Sequence, residues 1–520
     1  MSAQVIDAPI SQWDALDRQE RIDLLVRNAS PTGICALLEF LSDRYPDPGS
    51  QLEIARLLLE VDALSSVGSD SEIGTVAAYY YHIDGGGIES ALRTLAESVG
   101  ETCKSVVVTE SDESAWTDGS REDGGQDIAN TSVVSLSRFD GQNRFEKLKQ
   151  ALNEIRPDVL VYHAWFDKNL LWDVALCHAC GVRVVLNVHG VFSHFLEVSD
   201  GQRFPWSDGR LFASVPSAAR LCDAVVSQSK VNQQFFSRFN PRSYAVAHKL
   251  SDRFEQLASQ SRERAVEAEL LWVGRFDPYK HPEDAIDVLA HVRESVPNAT
   301  LTYVGKSADG CYEQMIKSKA ANLGVEHAIT FAGFQHDVAQ YYERASVLVL
   351  TTEVEGYCLV LAEALAAGLP VVAYDLPYLH FAECEGVRWE PQGDSRAMAR
   401  SVVELLSDDR LWASMSASGQ EFMRRDSEKG ISTSWADVLD ALTSKPSPES
   451  YEIIESERVM WDTLFAHYLQ GEAKTFAQLE SRVAAVDAAY REKDDLEQSY
   501  SFRVGRAILS PLRFVRGKLK

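Results

Sequence analysis

The chain has 520 residues, 45% of them apolar and 25% charged, with a formal net charge of −26. At roughly 100–200 residues per domain, that length allows two to four domains of an ordinary soluble composition, and the acidic balance argues against general nucleic-acid binding. No run approaches the ~18 apolar residues of a membrane span, the N-terminus lacks the basic and apolar regions of a secretory signal, and eight irregularly spaced cysteines fit reduced thiols in the cytoplasm.

Residues 1–70 read as a helical extension. RIDLLVRNA, ICALLEFLSDRY and LEIARLLLEVDAL place apolar residues at three- and four-residue steps, with Pro46 and Pro48 breaking the run. No catalytic constellation falls there, and the segment is expected to be a packing or interaction cap. From residue 74 the pattern changes. TVAAYYYHI reads as a strand, DGGG as a turn, IESALRTLAESVG as a helix ending at Gly100, and SVVVTE as a second strand. An acidic, Gly-rich stretch (110–127) is expected to be an exposed loop. VVSL, the helix FEKLKQALNEI, the strand DVLVYHA, a helix up to Gly181 and the strand RVVLNVHG follow, before ARLCDAVVSQS. Cys177 and Cys180 form the sole CxxC. With no second pair, they read as small apolar side chains on a helix near its Gly181 stop rather than a zinc site.

The alternation restarts near residue 269 with ELLWVGR, the helix HPEDAIDVLAHVRESVP, and the strands LTYVGK, AITFAGF, SVLVLTT and PVVAYD. Strands alternating with helices indicate βαβ units and a parallel sheet. The expected fold class is α/β, with two doubly wound Rossmann-like domains, 71–255 and 256–445, facing across a cleft. Ligands of such sheets bind outside the carboxyl ends of the strands. Residues 446–500 read as a helical extension, with Phe476, Leu479, Val483, Val486 and Tyr490 on one helical stripe. After Glu497 no acid remains, and 501–520 carries six cations among apolar residues, with Pro511 kinking any helix. A basic amphipathic tail suits an anionic membrane surface; docking on this acidic protein is the other reading.

Three strand-end loops carry the chemistry. VGRFDPYK sets Arg275 and Lys280 just past a strand, where two cations suit a phosphate. In TTEVEGYCLVLAEALAAGLPVVAYD, Glu355 and Glu363 stand eight residues apart, with a helix expected from Tyr357 onward. Its first N–H groups suit phosphate, and eight residues of helix span roughly 12 Å. Carboxylates accept from hydroxyls, so a nucleotide sugar could lie along the helix with its hydroxyl-bearing ends at Glu355 and Glu363. The third loop is DGGGIES. Gly85 and Gly87 begin a GxGxxG that Ser90 leaves incomplete, and Glu110 falls where a ribose-binding acid would sit. That partial match keeps an NAD-dependent oxidoreductase as a rival reading.

EGYCLVLAEALAAGLPVVAYD resembles the EX7E signature of retaining, GT-B-fold glycosyltransferases of family 4, in particular those of bacterial polysaccharide assembly. VGRFDPYK is similar to that family's phosphate-binding loop, DGGGIESALRTLA to its Gly-rich loop, NVHG (187–190) to its histidine loop, and DAVVSQSKVNQQFF to the segment closing its first half. The resemblance covers roughly residues 74–440. It implies that Arg275 and Lys280 neutralise a diphosphate, that Glu355 holds donor-sugar hydroxyls and Glu363 the ribose, and that the backbone of Gly356, Tyr357 and Cys358 binds phosphate. Gly86 and Gly87 would approach that phosphate from the other domain, His189 would lie near the anomeric centre or the acceptor, and Phe334 in the loop AGFQ would flank the base. The implied reaction is hexosyl transfer with retention, from a nucleotide-sugar donor to a glycan or lipid-linked acceptor, with no enzymic nucleophile, no metal and no separate cofactor. No Asp-x-Asp occurs in the chain. At the hinge the family often has Asn-Gly or Asn-Pro, whereas this chain has His248 and Lys249. A non-catalytic scaffold of the same fold, a sugar-nucleotide epimerase and a phosphorylase are the other readings.

Overall fold

A computed structural model describes residues 10–444, apart from 46–47, 66–71, 82–86, 101, 112–130, 142, 166, 191–208, 266, 306–310, 336, 378, 380 and 430–432. All of these lie in the first of two compact units, Met1–Glu457. The helix expected over 446–500, the basic tail and Gly86 fall outside the described residues.

Two parallel sheets organise the described residues. The first contains β1 (Thr75–Tyr79), β2 (Lys104–Thr109), β3 (Thr131–Ser135), β4 (Val159–Tyr162), β5 (Arg183–Val188), β6 (Ala224–Ser227) and β7 (Ser243–Ala245). Its order is β3-β2-β1-β4-β5-β6-β7, parallel throughout. The second contains β8 (Glu269–Val273), β9 (Thr300–Val304), β10 (Ile329–Phe331), β11 (Val347–Leu350), β12 (Val371–Tyr374) and β13 (Val387–Glu390). Its order is β10-β9-β8-β11-β12-β13, again all parallel.

The sequence dictates this arrangement directly. VLVY, AVVS, VLVL and VVAY are buried at every position. Such runs have no polar alternation, as a strand covered on both faces requires. Helices supply the cover. Met398, Val402 and Leu405 of the helix Ser395–Ser407 join the core around β8, β9, β11 and β12. In each sheet the strand order reverses once, between β1 and β4 and between β8 and β11. At these switch points the flanking loops diverge and leave a crevice at the carboxyl edge.

The N-terminal extension forms the helices Arg18–Asn28, Ile34–Arg44, Pro48–Leu58 and Asp62–Ser65. Asp17 and Glu20 close a capping box on the first. Ile34, Leu37, Leu38 and Leu41 make a buried stripe on the second. The group packs on the helices Leu170–Ala179 and Gly209–Leu221 of the first sheet, and His178 Nδ1 donates to the Leu64 carbonyl at 2.9 Å. Cys177 is buried on Leu170–Ala179, which stops before Gly181 at φ +76°.

After the second sheet the chain returns to the first. The helix Trp435–Leu442 starts at a Ser434–Asp437 capping box. Its Trp435, Val438, Leu439 and Leu442 enter the core with Val76, Leu92 and Val161. At about 1.5–3 kcal/mol per large apolar side chain fully buried, four such residues make this return a structural clasp.

Candidate active site

The loops leaving β8, β9 and β10 are laced together through backbone. Gly274 N donates to Val304 O at 3.0 Å and Gly305 N to Gly333 O at 2.8 Å. The approach is close enough that a Cβ on Gly305 would lie 1.8 Å from the Gly274 carbonyl oxygen. Arg275 leaves this braid with its side chain 69% exposed. Its Nε donates to Asp277 Oδ2 at 2.8 Å and its Nη2 to Tyr279 Oη at 3.2 Å. Burial acts to lower the guanidinium, but Tyr279 and Asp277 outweigh it and leave the group above its usual range.

Lys280 lies one short turn further on. Glu353 N donates to Tyr279 O at 2.9 Å and Thr351 Oγ1 to Lys280 O at 2.8 Å, which ties this turn to the loop leaving β11. The tie brings Lys280 Nζ onto Glu355 Oε1 in a direct ion pair. The two side chains are only 19% and 11% exposed. Burial pulls the ammonium down, yet the Glu355 carboxylate more than offsets it and holds Lys280 above its ordinary value. The switch point of the second sheet therefore carries one exposed cation and one part-buried cation paired with Glu355.

The helix after Glu355 begins two residues later than its sequence suggests. Cys358 adopts the left-handed region (φ 69°), and the helix spans Leu359–Ala366. Glu355 therefore precedes the helix, and the spacing of a continuous helix does not apply between it and Glu363. Cys358 O accepts from Leu361 N and Ala362 N at 3.1 and 3.2 Å, leaving the first amides of the turn without intrahelical partners. Glu363, half-buried, accepts from Tyr342 Oη at 2.7 Å. Burial pushes its carboxyl up to about 7, against the opposing pull of Tyr342.

The first sheet contributes imidazoles. His163 follows β4 directly and His189 follows β5 directly. His163 Nδ1 lies 2.9 Å from His189 Nε2, with the ring centroids 5.1 Å apart and the planes 19° from parallel. His248, past β7, lies near-parallel to His189 at 6.1 Å and meets Tyr357 edge-on at 5.3 Å. Burial holds His163 down to about 3 and His248 to about 4, and His189 well below its usual range. All three are neutral at physiological pH.

The carboxyl edges of the two sheets meet here. A Cβ on Gly356 would lie 1.9 Å from the His189 carbonyl oxygen, so only glycine permits this approach. Of the residues singled out from the sequence, the structure thus gathers His189, Lys280, Glu355, Gly356, Tyr357 and Cys358. Arg275 stands on the same loop as Lys280, Glu363 one helical turn behind, and Phe334 is 47% exposed beyond β10. Gly87 is the first residue of the helix Gly87–Val99. Glu110 accepts from Tyr79 Oη and Arg144 Nε, both at 2.8 Å, so the acid considered for a ribose is held in a side-chain network. Sequence reasoning did not single out His163 or Tyr342. The signal for His163 was its place directly after a strand, as in His189. Elsewhere His281, Glu283 and Asp284 cluster closely enough to suit a cation, but each is already hydrogen-bonded: His281 to Glu283, Glu283 to Tyr312, and Asp284 to Tyr374.

Two doubly wound sheets with opposed carboxyl edges define the GT-B fold of glycosyltransferases. Residues 254–422 match the family model described as glycosyl transferases group 1. The chain is 28% identical over 265 residues to the glycogen synthase of Mycobacterium tuberculosis, covering 49% of this chain and 61% of that one. It is 35% identical over 162 residues to the phosphatidyl-myo-inositol mannosyltransferase of Mycobacterium leprae, covering 30% of this chain and 42% of that one. The chain spans less than two thirds of the length of these curated relatives. Among solved structures, Anabaena HepE in complex with UDP-glucose matches with a TM-score of 0.53 and 18% identity, over 74% of this chain and 99% of that one. Among the described residues no helix is long and apolar enough to cross a membrane.

Proposed function

We propose that this protein is a retaining glycosyltransferase that moves a hexosyl group from a nucleotide sugar to an acceptor hydroxyl. The observation that carries the reading is the part-buried Lys280–Glu355 pair at the switch point of the second sheet, directly beside the contact between Gly356 and His189. A diphosphate arriving at Lys280 would share its ammonium and turn Glu355 toward donor-sugar hydroxyls. Arg275, exposed on the same loop, adds a second cation with bidentate geometry. The amides from Gly356 to Cys358 and the start of the following helix favour the same anion, and Gly86 and Gly87 approach it from the other half. Glu363 takes the ribose hydroxyls, and Phe334 flanks the base. A UDP-sugar is the donor class favoured by the neighbouring UDP-glucose complex.

In the reaction, the bond from the anomeric carbon to the phosphate oxygen breaks, and its electron pair goes to the diphosphate. The acceptor oxygen forms its bond to that carbon on the same face. The acceptor proton passes to a phosphate oxygen, so no enzymic nucleophile is needed. The protein's part is to stabilise charge on the leaving diphosphate through Arg275 and Lys280 and to hold both substrates together. With two cations for this task, the reading calls for no metal and no separate cofactor. The acceptor is a glycan or a lipid-linked saccharide in cell-surface polysaccharide synthesis, and the protein works in the cytoplasm, with 501–520 bringing it to the inner face of the membrane.

Calorimetric titration with UDP, GDP and NAD, on the wild type and on Glu363→Ala, tests this. Binding of one nucleoside diphosphate, weakened by the substitution, supports the reading. Silence with all of them points to a non-catalytic scaffold, and binding of NAD alone to an oxidoreductase.

A further inference from the structure

His189 does not stand alone. It is the end of a chain of side chains that crosses three adjacent strand ends. Gln228 follows β6, Asn187 lies within β5, and His163 follows β4. Gln228 Nε2 donates to Asn187 Oδ1 at 2.7 Å. That bond fixes the Asn187 amide with its NH2 toward His163, where Nδ2 lies 3.5 Å from His163 Nδ1. His163 Nδ1 in turn lies 2.9 Å from His189 Nε2. Asn187, His163 and Gln228 are all buried, His163 completely.

The polarity of this chain can be worked out one group at a time. A neutral imidazole has one N–H donor and one acceptor nitrogen. The Asn187 Nδ2 group can only donate, so it faces an acceptor at His163 Nδ1, and the His163 proton is on Nε2. His189 Nε2 shares the same His163 Nδ1 lone pair and must also donate. The proton of His189 is then on Nε2, and Nδ1 carries the lone pair. His189 Nδ1 is buried and has no hydrogen-bond partner among the described residues. His163 Nε2 also has no such partner. That atom would be unsatisfied in either tautomer, so it does not decide between them; Asn187 does. His163 and His248 both lie against the His189 ring, at 5.1 and 6.1 Å between centroids, and restrict its turning.

We propose that Gln228, Asn187 and His163 are positioning residues that fix His189 as the Nε2–H tautomer and so present its Nδ1 as an acceptor for a ligand hydroxyl. The class of ligand, a sugar hydroxyl, rests on the glycosyltransferase reading. The tautomer does not, and it is measured on the ligand-free chain.

The experiment is long-range proton–nitrogen correlation NMR of the full chain labelled with nitrogen-15 in histidine, with His189 assigned from its loss in His189→Asn. The expected result is a protonated Nε2 and an unprotonated Nδ1 on His189. Two variants reverse the polarity. Asn187→Asp presents only an acceptor to His163, which moves the His163 proton to Nδ1 and the His189 proton to Nδ1. Gln228→Glu acts one residue further back: it can only accept from Asn187, so the amide turns and the same exchange follows. Gln228→Glu keeps side-chain shape and serves if Asn187→Asp does not fold. A His189 protonated on Nδ1 in the wild type overturns the proposal. So does a His189 tautomer that stays unchanged in the folded variants. Retained nucleoside diphosphate binding in either case separates failure of this inference from failure of the proposed function.

Discussion

Glu363→Gln should stabilise the protein increasingly as pH rises from about 4.5 to about 7, and fully above that. Burial raises the Glu363 carboxyl from its ordinary 4.5 to about 7. An acid whose folded value lies above its unfolded value weakens the folded state as pH rises. The penalty begins near 4.5, where the unfolded chain ionises, and is complete above 7, where the folded chain ionises too. At 1.36 kcal/mol per unit, the full effect is about 3 kcal/mol. Glutamine keeps the shape and can still accept from Tyr342 Oη, which now donates at 2.7 Å, but it never ionises. Urea unfolding at pH 5 and pH 8 measures the effect. The variant should nearly match the wild type at pH 5 and unfold at a midpoint higher by roughly 1 M at pH 8, from the usual dependence of stability on denaturant. An equal gain at both pH values, or no gain at pH 8, would refute the burial argument. The same substitution should weaken UDP binding, because a ribose hydroxyl loses its charged acceptor. A group that costs stability when empty and binds when occupied is expected of a ligand-facing carboxylate rather than a structural one.

Gly356→Ala places a methyl 1.9 Å from the His189 carbonyl oxygen. The obstacle is backbone and cannot rotate away, so the halves should part; X-ray scattering should report a larger radius while circular dichroism stays unchanged, and sugar transfer should fall at least tenfold. Lys280→Met combined with Glu355→Gln removes the part-buried pair without leaving one charge unpaired. UDP binding should weaken roughly ten- to hundredfold by calorimetry, from about 1.5–3 kcal/mol per charge-assisted bond. Arg275→Ala should cost less than this, because its guanidinium is exposed and already shares Asp277. Full-length protein should float with anionic liposomes, and a chain ending at residue 498 should not, if the basic tail reaches lipid.

The central strands were legible because their residues are β-branched or aromatic and buried on both faces, a pattern visible without partners. β13 was not. Its sequence VRWE has one buried residue and three partly exposed ones, as suits the edge of the sheet, and only pairing with β12 identifies it as a strand. The start of the helix after Glu355 was misplaced for a different reason. A left-handed residue is normally announced by glycine or asparagine, and here it is Cys358. The capping box of the helix Trp435–Leu442 could be read locally. Its destination, the core behind β1 and β4, could not.

The site divides along the same line. Lys280 and Glu355 were legible because each sits at a strand end with a chemistry suited to a donor, and the structure adds that they pair. His163 was visible as a strand-end histidine but had no meaning until β4 and β5 became neighbours, since only their pairing brings Tyr162 alongside Leu186 and His163 within reach of His189. His248 reads in sequence as a hinge departing from an expected turn, yet in the structure it packs between His189 and Tyr357. It therefore links the imidazole chain of the first sheet to the very segment that carries Glu355. A histidine at that hinge has a use that asparagine would not. It carries the ring contacts of His189 across to Tyr357, next to the Gly356 backbone that reaches the His189 carbonyl.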